Sequence, residues 1–341
     1  MTNPGNPIKD ELIPAIKYIV LVALLLWLPL CLWVLGDESP LVLFDSIKSL
    51  ILACMFVSGA VIANATAVGG GMIFNPTLQL AFGVGGFAAL TLSVLVQCAG
   101  MTSGSYGWYK KGEFANIDKT DFWRMIGVCI VSVAIFSLVF LWAIRIWPET
   151  MLPIMKAASA IISFYVFWIV WANIREKKAH QKALAQKQAA HDDQGVKEEQ
   201  HALQEIDEHL HLKEHLPVRI DRRMYPWIVL GAVMNVSTSI GMGELVFSHL
   251  MKYYKAPPKT AIAFGTLTQC LAVIIQAIFI LALWPDHIIP KKVLLGVLFC
   301  MAGGRLAPFI LTRPYIEPHV KHILAFTALA MSITSGVLLF I

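Results

Sequence analysis

Two runs of glycine interrupt long apolar stretches and are the residues best suited to build a ligand site. Residues 66–71 read TAVGGG, and residues 238–243 read TSIGMG. Glycine is a poor residue for a helix interior, but it lets the backbone turn and lets a ligand approach closely. A broken helix also exposes backbone N–H groups where its second half begins, and these groups favour an anion. The sequence therefore predicts an anion site built on Gly69, Gly70, Gly71, Gly241 and Gly243, with Thr66 and Thr238 as flanking caps.

Two glutamines occupy equivalent places after these breaks. Gln97 lies 28 residues after Gly69, and Gln269 lies 28 residues after Gly241. A buried amide inside a membrane must find hydrogen-bond partners. We expect both amides to donate to one central ligand, and the alternative is that they join neighbouring helices.

Three ionisable residues lie within apolar segments and are further candidates. Glu244 directly follows Gly243, and we interpret it as a carrier of a coupling proton, with His249 a little further along. A capping carboxylate is the alternative for Glu244. Arg305 would offer a fixed positive charge to an anion, or else extend to the membrane surface.

Composition restricts the class of protein. The chain of 341 residues is 57% hydrophobic and only 14% charged, whereas a soluble domain carries about 25% charge. Apolar runs long enough to cross a bilayer recur along its length, which predicts an all-α polytopic membrane protein. The net charge of +5 lies largely in loops and gives no reason to expect nucleic acid.

The apolar segments give nine candidate spans, near 18–36, 46–66, 86–107, 122–146, 152–174, 226–240, 260–284, 293–311 and 321–341. Shorter pieces at 72–83 and 244–254 follow the second and sixth spans. The charged loop 175–222 and the basic loop 109–113 are placed in the cytoplasm by the positive-inside rule. We therefore divide the chain into an extra N-terminal transmembrane helix (1–44), a first repeat (45–174), a cytoplasmic loop (175–222) and a second repeat (223–341).

The two halves resemble each other in sequence. With a shift of 172 residues, eleven of the forty positions 59–98 carry the identical residue, including both glycine breaks and the Gln-Cys pairs 97–98 and 269–270. This exceeds what composition alone would give. We predict two homologous repeats of about four spans, each with a glycine-broken helix, and a substrate site between them.

These residues resemble the TauE/SafE (TSUP) family of sulfite and organosulfonate permeases. The resemblance is carried by AVGGGMIFNPTLQLAFGV (67–84), FAALTLSVLVQCAGMTSGSYGWYKKGE (87–113) and GGRLAP (303–308). It implies a bacterial inner-membrane transporter of small sulfur-containing anions. The chain departs from the family plan at Ser248, which replaces the proline equivalent to Pro76, and in its extra first helix and 48-residue loop.

The expected function is secondary transport of such an anion, coupled to protons, with no enzyme activity. An anion channel, or a sensor or scaffold acting through the loop 175–222, are the alternatives. The cysteines have no CxxC spacing, and His209, His211 and His215 are typical of a solvated helix, so no metal or cofactor is expected. The expected partners are the anionic substrate and membrane lipid, with a homo-oligomer left open.

Overall fold

The computed structural model describes residues 47–311, apart from 180–216, positions 68, 148, 239 and 240, and scattered positions between 152 and 178. Beyond 311 it describes a few helical residues between 322 and 333. The N-terminal segment 1–44, most of the loop 175–222 and most of the last candidate span therefore lie outside the described residues. Within the described parts, the chain is helical and forms no β-sheet beyond one isolated bridge between Ile117 and Val218.

Eight helices carry the described fold. In the first half they are α1 (Ile47–Thr66), α2 (Gly71–Phe82), α3 (Gly86–Lys110) and α4 (Lys119–Ile146); in the second half they are α5 (Tyr225–Thr238), α6 (Met242–Tyr253), α7 (Pro258–Leu283) and α8 (Pro290–Leu311). Among the described helices, α1, α3, α4, α7 and α8 are long and apolar enough to cross a membrane. An all-α membrane protein is confirmed. The short pieces after the second and sixth candidate spans are present as α2 and α6.

Helix α5 differs from the candidate span at 226–240. It has 14 residues, which corresponds to about 21 Å at the usual rise per residue, less than a hydrocarbon core of about 30 Å. The reason is local: the chain turns at the second glycine break before it has crossed.

Helices α3 and α7 run antiparallel through the centre. The Thr260 hydroxyl, in the first turn of α7, donates 3.1 Å to the Glu113 carboxylate just beyond the end of α3. At the other end, the rings of Phe87 and Trp284 are 4.5 Å apart. These contacts define two ends of the molecule, and each helix can be assigned a direction between them.

One end of the bundle, which we call the basic end, collects most of the Lys and Arg among the described residues. It contains Lys110, Lys111, Lys119, Arg124, Arg219, Arg222, Arg223, Lys252, Lys255 and Lys259, whereas Lys48, Arg145, Lys291 and Lys292 lie at the opposite end. Trp147 and Trp284 also mark that opposite end, which we call the tryptophan end. The last residues of the long loop lie at the basic end, because the Ile220 N–H donates 2.9 Å to Asp121.

The first hairpin, α1–α2, opens at the tryptophan end. Helix α1 ends beside the C-terminal part of α3, since the Trp108 indole donates 3.1 Å to the Asn64 carbonyl. Helix α2 then returns along α1, with the rings of Phe56 and Phe74 5.4 Å apart.

The second hairpin, α5–α6, opens at the basic end. Asp221, just before α5, accepts a 2.6 Å hydrogen bond from Tyr254 at the end of α6. Further along, the rings of Trp227 and His249 stack at 3.9 Å. The two hairpins therefore enter from opposite ends of the bundle.

The second long helix of each half runs parallel to the first long helix of the other half. Helix α4 runs parallel to α7. The ring of Phe122 packs against that of Phe264, and the Cys129 thiol lies near the Thr268 carbonyl. Helix α8 runs with α3, since Ser103 donates 2.8 Å to the Met301 carbonyl. Each half thus has the order hairpin, long helix, long helix, and the two halves run in opposite directions. Side chains such as Val131, Ile135 and Trp142 on α4 are more than half exposed, as expected of a surface that faces lipid.

Candidate functional site

The tips of the two hairpins meet inside the bundle. The first tip comprises residues 67–71 and the second residues 241–243. The Gly69 N–H donates 2.6 Å to Oε1 of Glu244, which belongs to the other hairpin. A Cβ at Gly243 would overlap the Ala67 carbonyl oxygen and would lie 2.9 Å from the Gly265 carbonyl oxygen. Glycine at 243 is therefore needed for the approach of protein backbone from the opposite tip, not only for the approach of a ligand.

Both tips lie near the middle of the long helices. A Cβ at Gly70 would lie 2.8 Å from Cγ of Gln97, and the Gly243 N–H donates 3.0 Å to Oε1 of Gln269. Gln97 is 11 residues from the start of α3 and 13 from its end; Gln269 is 11 and 14 residues from the ends of α7. At about 1.5 Å per residue, both glutamines lie roughly 16–21 Å from either helix end.

The two turns use different residues to reverse the chain. In the first tip, Ala67 adopts the left-handed conformation with φ 55°, whereas Gly70 has helical angles, φ −56° and ψ −21°. In the second tip, Gly241 has φ 116°. The glycine at 70 is required by the close approach of Phe74 and Gln97, which leave no room for a Cβ.

Gln269 is committed to a network within the second half. Its Oε1 accepts from Gly243, and its Nε2 donates 2.5 Å to the Asn235 side chain. Asn235 in turn donates 3.4 Å to Gln276, whose Nε2 donates 3.0 Å to the Val236 carbonyl. This chain of amides fastens the second tip to α5 and α7. Gln276 was not singled out from the sequence, although its place two turns after Gln269 puts both on one helix face.

Gln97 is different, because half of its amide has no partner among the described residues. Its Nε2 donates 3.1 Å to the Ser93 hydroxyl, while its Oε1 is buried and accepts no hydrogen bond from that part of the chain, and the residue is 1% exposed. The nearby start of α2 receives no capping hydrogen bond from a described side chain. The oxygen and the NH2 group of a glutamine amide are nearly the same size, so the amide can also lie in the flipped orientation. In the flipped orientation, Oε1 accepts from Ser93 and the free group is an N–H donor.

Glu244 lies between the tips and is fully buried. Its Oε1 accepts from Gly69, and its Oε2 accepts 2.8 Å from Gly241, the residue before α6. The second contact is the reach of an N3 glutamate back to its own helix start. In the described part of the chain, no Lys, Arg or His forms an ion pair with it.

The remaining candidates are not all brought to the tips. Thr66 ends α1 and donates 2.7 Å to the Ile62 carbonyl of its own helix. Thr238 ends α5, and its side chain lies outside the described residues. Arg305 is exposed, with its guanidinium 4.9 Å from the ring centre of Tyr106 near the basic end.

His249 lies between Glu244 and the basic end. Its Nδ1 is 2.9 Å from the Leu245 carbonyl, and its ring stacks between Trp227 and Tyr253. It lines a cavity of about 360 Å³ at the basic end, together with Asp221, Arg223, Met224, Trp227, Tyr253 and Tyr254. Within the described ranges, no group of three His, Cys, Asp or Glu side chains could hold a metal ion.

A helical bundle with several apolar spans and two broken hairpins that meet at mid-depth defines the class as a polytopic membrane transport protein. The family model described as sulfite exporter TauE/SafE matches residues 51–335. The chain belongs to the TauE/SafE family, a family of membrane transporters, and it is not an enzyme. Neither the comparison with curated proteins nor the comparison with solved structures found a match.

Proposed function

We propose that this protein carries small sulfur-containing anions, such as sulfite or sulfonates, at a site between the two hairpin tips. The observation that carries the proposal is the unpartnered amide end of Gln97, buried beside the uncapped start of α2. A buried polar group without a partner is costly unless a ligand completes it.

The electrostatics of the site favour an anion. Helices α2 and α6 both begin at the tips, so the positive ends of two helix dipoles lie together at mid-depth. The first N–H groups of a helix have no intrahelical partner and bind anions. The free end of Gln97, turned as an N–H donor, adds a further hydrogen bond to a sulfite or sulfonate oxygen.

Transport follows from the opposed halves. We propose that they are homologous inverted repeats, with the N-terminal segment as an extra helix outside them. Each hairpin is anchored at one end of the bundle, so movement of one half against the other would expose the tips first to one side and then to the other. We propose that the anion lies nearer the first tip, because the Gln269 amide is already engaged by Gly243 and Asn235.

We further propose that the membrane is the bacterial inner membrane and that the basic end, with the loop 175–222, faces the cytoplasm. The concentration of Lys and Arg at that end supports this orientation. Proton coupling belongs to the same proposal, with Glu244 and His249 as the candidate groups.

The test is flux of sulfite and ethanesulfonate into proteoliposomes. Gln97→Ala should lower flux at low substrate by roughly 10- to 150-fold, since a hydrogen bond to a charged ligand is worth about 1.5–3 kcal/mol. Gln79→Ala is the matched control, because the Gln79 amide donates 2.8 Å to the Asn75 side chain near the far end of α2, away from the tips.

The results distinguish a transporter from a channel and from a scaffold. Saturable flux that Gln97→Ala reduces and Gln79→Ala retains would support the site, and non-saturating flux would favour a channel. Folded wild-type protein that moves no sulfur anion would overturn the proposal. Deletion of residues 180–216 should leave flux intact if the protein is a transporter, and loss of function with that deletion alone would favour the scaffold.

A further inference from the structure

The Glu244 carboxylate occupies hydrogen-bond donors that an anion at the tips would also need. One oxygen accepts from Gly69 on the first hairpin and the other from Gly241 on the second. A carboxyl group that belongs to the chain therefore already bridges the two tips at the site proposed for the substrate.

We propose that Glu244 is a tethered anion that closes the substrate site, and that a substrate anion binds by displacing it while one proton neutralises the displaced carboxylate. This inference rests on the proposed function. It adds a rule of mutual exclusion: the tips hold either the ionised Glu244 side chain or the substrate together with protonated Glu244.

Electrostatic repulsion makes the two anions mutually exclusive. Two like charges a few ångströms apart inside a protein repel strongly, because little water screens them. A second anion cannot share the Gly69 N–H with Glu244, since that group has one hydrogen to donate.

The residues around Glu244 leave a proton as the means of neutralising its displaced carboxylate. Among the described residues, the buried titratable groups on α7 and α4 are the Cys270 and Cys129 thiols, which contact Thr102 and the Thr268 carbonyl. Tyr225 on α5 and Lys259 on α7 lie in the first turns of their helices, at the basic end. On α6 itself, His249 is turned to the Leu245 carbonyl and the aromatic stack, and Lys252 lies over Tyr253 in the last turn. None of these supplies a fixed positive charge to a displaced carboxylate. An isolated buried charge is costly, and a carboxylate avoids this cost by taking up a proton.

A polar route for the proton leads along α6 to the basic end. Ser248, one turn after Glu244, is buried, and its hydroxyl has no partner in the part of the chain that the structure describes. His249 follows and lines the cavity at the basic end. Because its Nδ1 faces the Leu245 carbonyl, Nε2 is the ring atom left to exchange a proton with that cavity.

The bridge also explains how an empty site could stay closed. Glu244 joins hairpins that are anchored at opposite ends of the bundle, so its two hydrogen bonds hold the halves together when no substrate is present. Protonation and substrate binding release the bridge between the halves. One proton then accompanies each anion, and the direction of net flux follows from the gradients of the anion and of protons across the membrane.

The experiment measures proton uptake on anion binding to the full-length purified protein. Titration calorimetry is run with sulfite, sulfate and ethanesulfonate, in buffers of different ionisation enthalpy and at several pH values. Ethanesulfonate and sulfate carry no titrating proton near neutral pH, and the intrinsic titration of sulfite is the same for every variant. The variants are Glu244→Gln, Glu244→Asp and the control Glu113→Gln, whose carboxylate lies in the loop at the basic end.

We expect wild type and Glu113→Gln to take up about one proton per bound anion, and their apparent Kd to rise by up to tenfold per pH unit while Glu244 is ionised. Glu244→Gln should bind the anions more tightly than wild type, take up no proton on binding, and show no such rise of Kd with pH. Glu244→Asp should keep the uptake but bind more tightly than wild type, because its shorter arm cannot reach both amides.

The two proposals fail in different ways. Binding without proton uptake in the wild type, or equal uptake in Glu244→Gln, would overturn the tethered anion while leaving the anion site in place. If Glu244→Gln does not fold, Glu244→Asp with wild-type affinity would overturn it as well. Absence of binding of every anion by folded wild type and every variant would instead refute the proposed function.

Discussion

Gln269 and Gln97 have equivalent sequence positions, but the structure gives them different tasks, and truncation of each should have a different effect. Gln269→Ala removes the acceptor of the Gly243 N–H and the donor to Asn235. Both groups then remain buried, since Gly243 and Asn235 are inaccessible to water. The second tip would lose its attachment to α7.

The magnitude follows from these two contacts. Side-chain hydrogen bonds between membrane helices average about 0.6 kcal/mol and reach about 1.7 kcal/mol, while a buried group left unsatisfied costs about 1–3 kcal/mol. We expect Gln269→Ala to lower the free energy of unfolding by about 2–4 kcal/mol. Gln97→Ala loses one bond to the Ser93 hydroxyl, which can turn to its own helix, and should cost about 1 kcal/mol.

The assay is thermal unfolding of the purified proteins in detergent, alongside flux in proteoliposomes. With roughly 2–4 °C per kcal/mol for a chain of a few hundred residues, Gln269→Ala should lower the midpoint by about 5–15 °C and Gln97→Ala by less than about 4 °C. In the protein that stays folded, Gln97→Ala should lose more flux than Gln269→Ala.

One result would refute this reasoning. If Gln97→Ala destabilises the protein as much as Gln269→Ala does, the unpartnered amide is a structural contact and not a ligand group. Asn235→Ala offers an internal check, because it breaks the same network and should reproduce the Gln269→Ala midpoint.

Two further predictions concern the contact of the tips and the basic end. Gly243→Ala should abolish flux and cost about 1–3 kcal/mol of stability, because its Cβ meets two backbone carbonyls that cannot move aside, whereas Gly127→Ala on α4, where a Cβ meets open space, should keep both flux and stability. At the basic end, the hydrogen bond from Tyr254 lowers the pKa of Asp221 below its usual range, so this carboxylate stabilises the fold above its unfolded pKa and loses that effect as the pH falls through its folded value. Tyr254→Phe should therefore lower the unfolding midpoint near neutral pH, with the difference from wild type shrinking below about pH 4; a difference that grows on acidification would contradict the assignment.

Helix bounds near the breaks could be predicted from local composition. The short pieces expected at 72–83 and 244–254 are the helices Gly71–Phe82 and Met242–Tyr253, and each follows a glycine break that ends the preceding apolar helix. The common depth of Gln97 and Gln269 also follows from sequence, since equal spacing from a break fixes the position along a helix.

The behaviour of individual residues at the tips could not be predicted in this way. The left-handed residue of the first turn is Ala67 rather than one of its three glycine neighbours, because tertiary contacts between the tips set the backbone there. The difference between the glutamines depends on Asn235, which reaches Gln269 from another helix.

By itself, the sequence determined the membrane class, the two breaks and the pairing of glutamines with them, since these depend on hydrophobicity and spacing along one chain. Only the tertiary structure decided that the hairpins enter from opposite ends, and that Glu244 of one hairpin binds Gly69 of the other. A contact between residues 175 positions apart depends on the direction in which each helix runs, and equal spacing in two halves is compatible with parallel or opposed arrangements. The packing of α3 against α7 selects the opposed arrangement and thereby brings the carboxylate to the proposed anion site.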